Sequence, residues 1–171
     1  MKTIVTGRHL TLVDDDGWEY VKRNHGKHVV IIIPVTKDNR VVFISQFRKP
    51  IQRTSLEFPA GLVGDVRTGE TILDAAKAEL LEETGLVSER WDELTCGPIS
   101  PGLTDETATL FLATECEKVA EGGGDGSENI EVHFIPTDHV EVFVPHSERE
   151  GLAIDAKVYG GLYFLKAEEI I

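Results

Sequence analysis

Gly64-Asp65-Val66-Arg67-Thr68-Gly69-Glu70-Thr71-Ile72-Leu73-Asp74-Ala75-Ala76-Lys77-Ala78-Glu79-Leu80-Leu81-Glu82-Glu83-Thr84-Gly85-Leu86 is the stretch on which the reading of this chain turns. Residues 70–84 are rich in Ala, Leu, Glu and Lys, and Gly85 stands where a helix C-terminus favours a residue without Cβ. Leu73, Ala76 and Leu80 recur at spacings of three and four and form one apolar stripe. Each helical residue advances about 100°, so Glu82 and Glu83 fall roughly 60° and 40° to either side of Glu79. Three carboxylates on one stripe repel one another, and a hard cation converts that repulsion into binding. Their oxygens suit Mg²⁺ or Mn²⁺. Taken alone, the triplet is more simply read as the solvated acidic face of a surface helix.

Working outward, β-branched and apolar residues at 3–13 and 18–23 flank Asp14-Asp15-Asp16-Gly17, which predicts a hairpin with an acidic turn. His28 to Val35 is a continuous β-branched run, the pattern of a strand buried on both faces. A turn at 37–40 leads into a return strand at 41–47, and residues 50–54 read as a loop. Leu56 to Gly61 reads as a short strand ending in a Pro/Gly turn. Further strands are expected at 94–99, 107–114 and 130–135, with a Gly-rich loop at 122–127 and helices at 137–144 and 151–168. Strands, a helix, strands again and then helices imply an α+β chain of mixed layers rather than a doubly wound sheet.

Thirty acidic residues against 17 basic give a net charge of −13, which argues against a nucleic-acid partner, because such proteins neutralise phosphates with Lys and Arg. A small phosphorylated substrate is still compatible, since bound cations invert the local field. No apolar run reaches the roughly 20 residues that span a bilayer. The first residues lack a secretion signal, and no membrane partner is expected. Cys96 and Cys116 are isolated and read as reduced thiols, so a cytoplasmic setting is expected.

The surroundings of the triplet change its weight. Gly64, five residues, Glu70, seven residues and then Ala78-Glu79-Leu80-Leu81-Glu82-Glu83-Thr84-Gly85-Leu86 resembles the Nudix box. Every defined position matches except one, where Ala78 replaces the family's Arg. The resemblance implies an α/β/α sandwich with a mixed sheet. It makes Glu79 and Glu83 the principal metal ligands, Glu82 a third or bridging ligand, and Glu70 a supporting acid. The family's Arg orients box glutamates. Lys77 is rotated about 100° from that position and is a poor substitute. Catalysis is therefore expected to be impaired but not lost.

Resemblance extends beyond the box to the ADP-ribose pyrophosphatase branch, a group acting on nucleoside diphosphate sugars. It is carried by Gly17-Trp18-Glu19-Tyr20-Val21-Lys22-Arg23, Gln46-Phe47-Arg48-Lys49-Pro50, Leu56-Glu57-Phe58-Pro59-Ala60-Gly61-Leu62, Ser100-Pro101-Gly102-Leu103-Thr104, residues 125–132 and Asp155-Ala156-Lys157-Val158-Tyr159. Pro101 stands about where the branch has its diagnostic proline. Trp18 offers a flat surface for adenine, or alternatively packs the hairpin. Arg23 and Arg48 offer planar forks for phosphate oxygens. Glu57 is suited to accept from a ribose or to pair with one of those arginines. The Ala60 carbonyl is carried over as a metal ligand. Glu128, on the Gly-rich loop, is the candidate general base, with Glu82 as an alternative and Glu106 a weaker one. His9 stands where the branch can place a second aromatic, which loosens adenine selectivity.

The resemblance thus implies Mg²⁺-dependent cleavage of ADP-ribose to AMP and ribose 5-phosphate. By analogy residues 1–27 are N-terminal strands that form a homodimer, and residues 28–171 are the hydrolase domain. Alternatives are another nucleotide substrate, such as GDP-mannose or a dinucleoside polyphosphate, or a weakly catalytic nucleotide-sugar sensor.

Overall fold

The computed structural model describes residues 1–26, 28–64, 69, 71–124 and 129–171. Its centre is β4 (His28–Thr36), the β-branched run. Val30, Ile31, Ile32 and Ile33 are each at most 1% exposed. Successive side chains point to opposite faces of a strand, and here they feed two different cores. Ile31, Ile33 and Val35 pack with Val140, Val144, Val158 and Leu165. Val30 and Ile32 pack with Ala75, Ala76 and Leu80. These residues come from three helices: α1 (Ile72–Thr84) on one face, α2 (Val140–Arg149) and α3 (Ala156–Ala167) on the other. The expected α/β/α sandwich is therefore what forms, because a strand apolar on both faces needs cover on both.

Around β4, the main sheet among the described residues has nine strands. They include β5 (Arg40–Arg48), β6 (Arg53–Glu57), β7 (Ala60–Leu62), β8 (Leu86–Val87), β9 (Arg90–Pro98), β10 (Thr107–Lys118), β11 (Glu131–Pro136) and β12 (Ala153–Ile154). The sheet is mixed: β4 runs parallel to β10 and antiparallel to β7. β4 and β5 pair only at Val35↔Val41. Beyond that point the two strands diverge, and β7 lines the opening by pairing Ala60 with Ile31.

Several boundaries differ from those the sequence implied. Residues 3–13 are two strands, β1 (Lys2–Thr6) and β2 (Leu10–Asp15), which with β3 (Trp18–Arg23) form a separate three-stranded sheet. The chain turns at Gly7, whose N–H donates to the Leu10 carbonyl (2.7 Å), while the Asn24 amide donates to the Gly7 and Arg8 carbonyls. Asp16 and Gly17, with φ of 53° and 89°, make the second turn. The stretch 56–61 divides at Phe58-Pro59 between β6 and β7. Residues 153–154 are strand rather than helix, because they pair in parallel with Ser55 and Leu56. Asp155 then caps α3, its carboxylate accepting from the Lys157 N–H at 2.8 Å.

Helix α1 begins at a reciprocal cap. Thr71 Oγ1 accepts from the Asp74 N–H, and the Asp74 carboxylate accepts from the Thr71 N–H. It ends at Gly85 in the left-handed conformation, φ 72°. Ala76 and Leu80 lie fully buried against the sheet. Among the described residues, no helix is long and apolar enough to cross a membrane.

Candidate active site

Packing the apolar stripe of α1 against β4 and β7 aims the neighbouring stripe at the opening beside β7. A cleft of ≈ 700 Å³ occupies that opening. It is lined by Arg23, Arg48, Glu57, Ala60, Glu79, Glu82, Glu83 and Glu106, all candidates from the sequence. Two box glutamates dock on β7. The Ala60 N–H donates to Glu83 Oε2 at 3.0 Å, and Glu83 is only 3% exposed. The Glu79 carboxyl stands over Gly61. Glu82, the third, is exposed on the same cleft.

Each cleft arginine is held by a glutamate. Arg48 and Glu57 sit on adjacent strands and form a two-pronged pair, Nε to Oε1 at 2.8 Å and Nη2 to Oε2 at 2.6 Å. Glu57 thus has an arginine partner, and its side chain is 8% exposed. Arg23 Nε donates to Glu106 Oε1, so the N-terminal sheet reaches into the cleft through a charged hydrogen bond. The N–H of Val21 further ties β3 to the Leu103 carbonyl at 2.8 Å.

Other candidates lie apart. Trp18 is 64% exposed, and its indole N–H donates to the Gly102 carbonyl at 3.3 Å. Pro101 is exposed in the turn closed by the Leu103 N–H on the Ser100 carbonyl. Neither is among the residues lining this cleft, although Ile99 and Glu106, either side of that turn, are. His9 is exposed. Glu70 and Glu128 lie outside the described residues. The N–H groups of Gly123 and Gly124 donate to the Glu83 and Glu82 carbonyls at 2.8 and 3.1 Å.

The cleft also contains residues given no role from the sequence. Lys157 and Asp155 form an ion pair at the start of α3, and Ser55 lies nearby on β6. An Asp cap followed two residues later by Lys was visible in the sequence, but its direction toward the cleft depends on the β12–β6 pairing.

The donors facing the cleft are oxygens, as a hard divalent cation requires. Among the described residues, no three Asp, Glu, His or Cys side chains are close enough together to enclose an ion. Mg²⁺ does not need such a cage, since it is commonly held by one or two carboxylates plus water and substrate phosphates. The oxygen donors therefore fit a hard divalent cation that takes the rest of its shell from outside the protein.

Comparison with known proteins bears on the same region. A family model described as NUDIX domain matches residues 26–155. The chain is 32% identical over 153 residues to an ADP-ribose pyrophosphatase of Bacillus subtilis, covering 88% of this chain and 79% of that protein. It is 29% identical over 175 residues to the Methanol dehydrogenase activator of Bacillus methanolicus, covering 98% and 91%. It is 33% identical over 162 residues to an ADP-sugar pyrophosphatase of Mus musculus, covering 83% and 70%. A solved structure described as an ADP compounds hydrolase matches with a TM-score of 0.75 and 20% identity, over 99% of this chain and 94% of that one. At that identity the match speaks to the fold.

Proposed function

The chain belongs to the Nudix hydrolase family, and from that premise we propose that it cleaves the pyrophosphate bond of ADP-ribose, giving AMP and ribose 5-phosphate. One observation carries the reading: eight residues that the sequence marks for phosphate, metal, sugar or proton-transfer chemistry line one cleft. Glu79, Glu82, Glu83 and the Ala60 carbonyl would hold Mg²⁺, with Mn²⁺ acceptable to the same oxygens. Bound there, the ion would supply Lewis-acid chemistry, offsetting phosphate charge and making attacking water more acidic.

The chain's own groups supply the rest. Arg23 and Arg48 grip the outer phosphate oxygens, and their glutamate partners fix the planes of the two guanidinium groups in advance. Water adds to one phosphorus and the P–O–P bridge breaks. A glutamate, Glu128 or Glu82, takes the water's proton. Trp18 stacks on the adenine, and Pro101 shapes the turn against which its indole rests.

Because Trp18 lies outside the cleft of its own chain, it serves this purpose through a homodimer in which residues 1–27 pair with a second copy. The exposed apolar residues Ile4, Val5 and Leu10 support that arrangement. We place the enzyme in the cytoplasm, with Cys96 and Cys116 as thiols.

The test is Mg²⁺-dependent AMP release across ADP-ribose, GDP-mannose, other nucleotide sugars and dinucleoside polyphosphates. ADP-ribose should give the highest kcat/KM, and a flat or inverted ranking removes the proposed specificity. A second reading has its own support in the nearly full-length similarity to the methanol dehydrogenase activator. On that reading the chain raises the turnover of a dehydrogenase. Adding it to an alcohol dehydrogenase with and without Mg²⁺ separates the two.

A further inference from the structure

Helix α1 and β7 meet where there is no room for a side chain. Gly61 pairs with Val30 across the β7–β4 ladder, and its φ lies outside the left-handed region, so backbone conformation does not demand glycine there. Space does. A Cβ on Gly61 would lie 1.8 Å from Glu79 Oε1, 2.0 Å from Cδ and 2.5 Å from Cγ. Ordinary contact between such atoms is about 3.5–4.0 Å. The Glu79 carboxyl thus rests on the bare Cα of Gly61. Next to it, the Ala60 N–H holds Glu83, one helical turn further along. Two carboxylates are therefore seated on two consecutive residues of one strand, by two different means.

We propose that Gly61 is a positioning residue whose missing side chain sets where the Glu79 carboxylate stands in the cleft. The proposal rests on the reading of that cleft as a divalent-cation site. Its physical content is a choice of what yields when a methyl is added. β7 is pinned on β4 through residues 60–62, and the Ile32 N–H donates to the Pro59 carbonyl at 2.9 Å. The three crowded atoms all belong to the flexible end of Glu79. The glutamate gives way, and the strand stays. Gly85 and Gly122 are different cases, because a Cβ there would meet backbone: the Ala120 oxygen at 2.1 Å and the Thr84 carbonyl carbon at 2.4 Å.

The experiment measures Mn²⁺ binding by electron paramagnetic resonance, together with thermal melting of the metal-free chain. It uses wild type, Gly61→Ala, Glu79→Gln and the double variant. Gly61→Ala should melt close to wild type and bind Mn²⁺ about 10–100-fold more weakly, the usual cost of losing support for a ligand. The double variant should bind no more weakly than Glu79→Gln alone, because residues acting through one contact are not additive. Unchanged Mn²⁺ affinity in Gly61→Ala, fully additive losses, or a Gly61→Ala chain that does not fold would each overturn the proposal. If Glu79→Gln itself leaves Mn²⁺ binding intact, the reading of the cleft falls with it. If Glu79→Gln weakens binding and Gly61→Ala does not, only the role of Gly61 falls.

Discussion

Where α1 meets β7, Leu80 is fully buried and Glu83 is seated on a backbone amide. In the N-terminal sheet, every residue of β1 is exposed, and Ile4, Val5, Leu10 and Trp18 present apolar surface to solvent. The first region is completed by the chain's own packing and hydrogen bonds. The second reaches the rest of the chain through a few links, notably Arg23 to Glu106 and Val21 to Leu103. The contrast separates two tasks. On the proposed reading, chemistry is placed where α1 packs on β7, with Glu83 held by the Ala60 N–H. On the same reading, recognition of the base falls to the N-terminal sheet, whose exposed Ile4, Val5, Leu10 and Trp18 are the residues a second copy would cover. Changes in the first region should alter turnover at any protein concentration. Changes in the second should alter substrate affinity and association.

The largest effect is expected from Glu83→Gln. Glutamine keeps an oxygen to accept from the Ala60 N–H but loses the charge, so melting should hold while kcat falls about a hundredfold or more. Steady-state kinetics beside calorimetry will show whether turnover and stability separate in this way. Arg48→Ala comes next. It removes the proposed phosphate grip and leaves Glu57 without its two-pronged partner, so KM should rise about tenfold. A rise in KM with unchanged kcat for ADP-ribose, read from initial rates, is the signature of lost binding.

Trp18→Ala tests the other side of the comparison. Loss of stacking is worth roughly 1–3 kcal/mol at most per base. KM for an adenine substrate should rise, while cleavage of a diphosphate lacking the base is unaffected. Val5→Asp, on exposed β1, should shift sedimentation toward monomer and weaken ADP-ribose binding with it. Independence of the two would separate base recognition from dimerisation. A smaller gain, up to about tenfold in kcat/KM, is expected from Ala78→Arg, which restores the family's missing support for the box glutamates. A lower kcat/KM contradicts that reading.

The smallest effect is on stability. Burial pushes His133 below the ordinary histidine range, and its ring bonds Ser45 at 2.9 Å. The unfolded chain therefore binds this proton more readily than the folded one. The contribution is intact above the ordinary histidine pKa and is lost as pH falls through the depressed folded value. The melting temperature of His133→Gln, followed from neutral to acid pH, should fall less steeply than that of wild type.

How much of this was legible in the sequence depended on how local the cause is. The box helix announced itself through its own spacing, its acidic stripe and Gly85. β4 did so because β-branched residues on both faces admit few other readings. What stayed hidden is set by partners distant in sequence. The break at Gly7 is fixed by Asn24, and the strand at 153–154 by β6. The β5–β6 register sets Arg48 opposite Arg53 and Glu57 opposite Ile44, so their pairing depends on side chains reaching along the ladder, and that of Arg23 with Glu106 on the contact between β3 and the turn after β9. Gly61 looked like a turn residue beside Pro59, because the carboxylate that occupies the place of a side chain there lies 18 positions further along.

The central claim is that the box glutamates and the Ala60 carbonyl hold a divalent ion against a diphosphate. Crystals soaked with Mn²⁺ and a non-hydrolysable ADP-ribose analogue test it directly through the anomalous signal of the metal. A peak bounded by Glu79, Glu83 and the Ala60 carbonyl, with analogue phosphate oxygens completing the shell, is expected. A peak elsewhere, with those side chains apart, would contradict it.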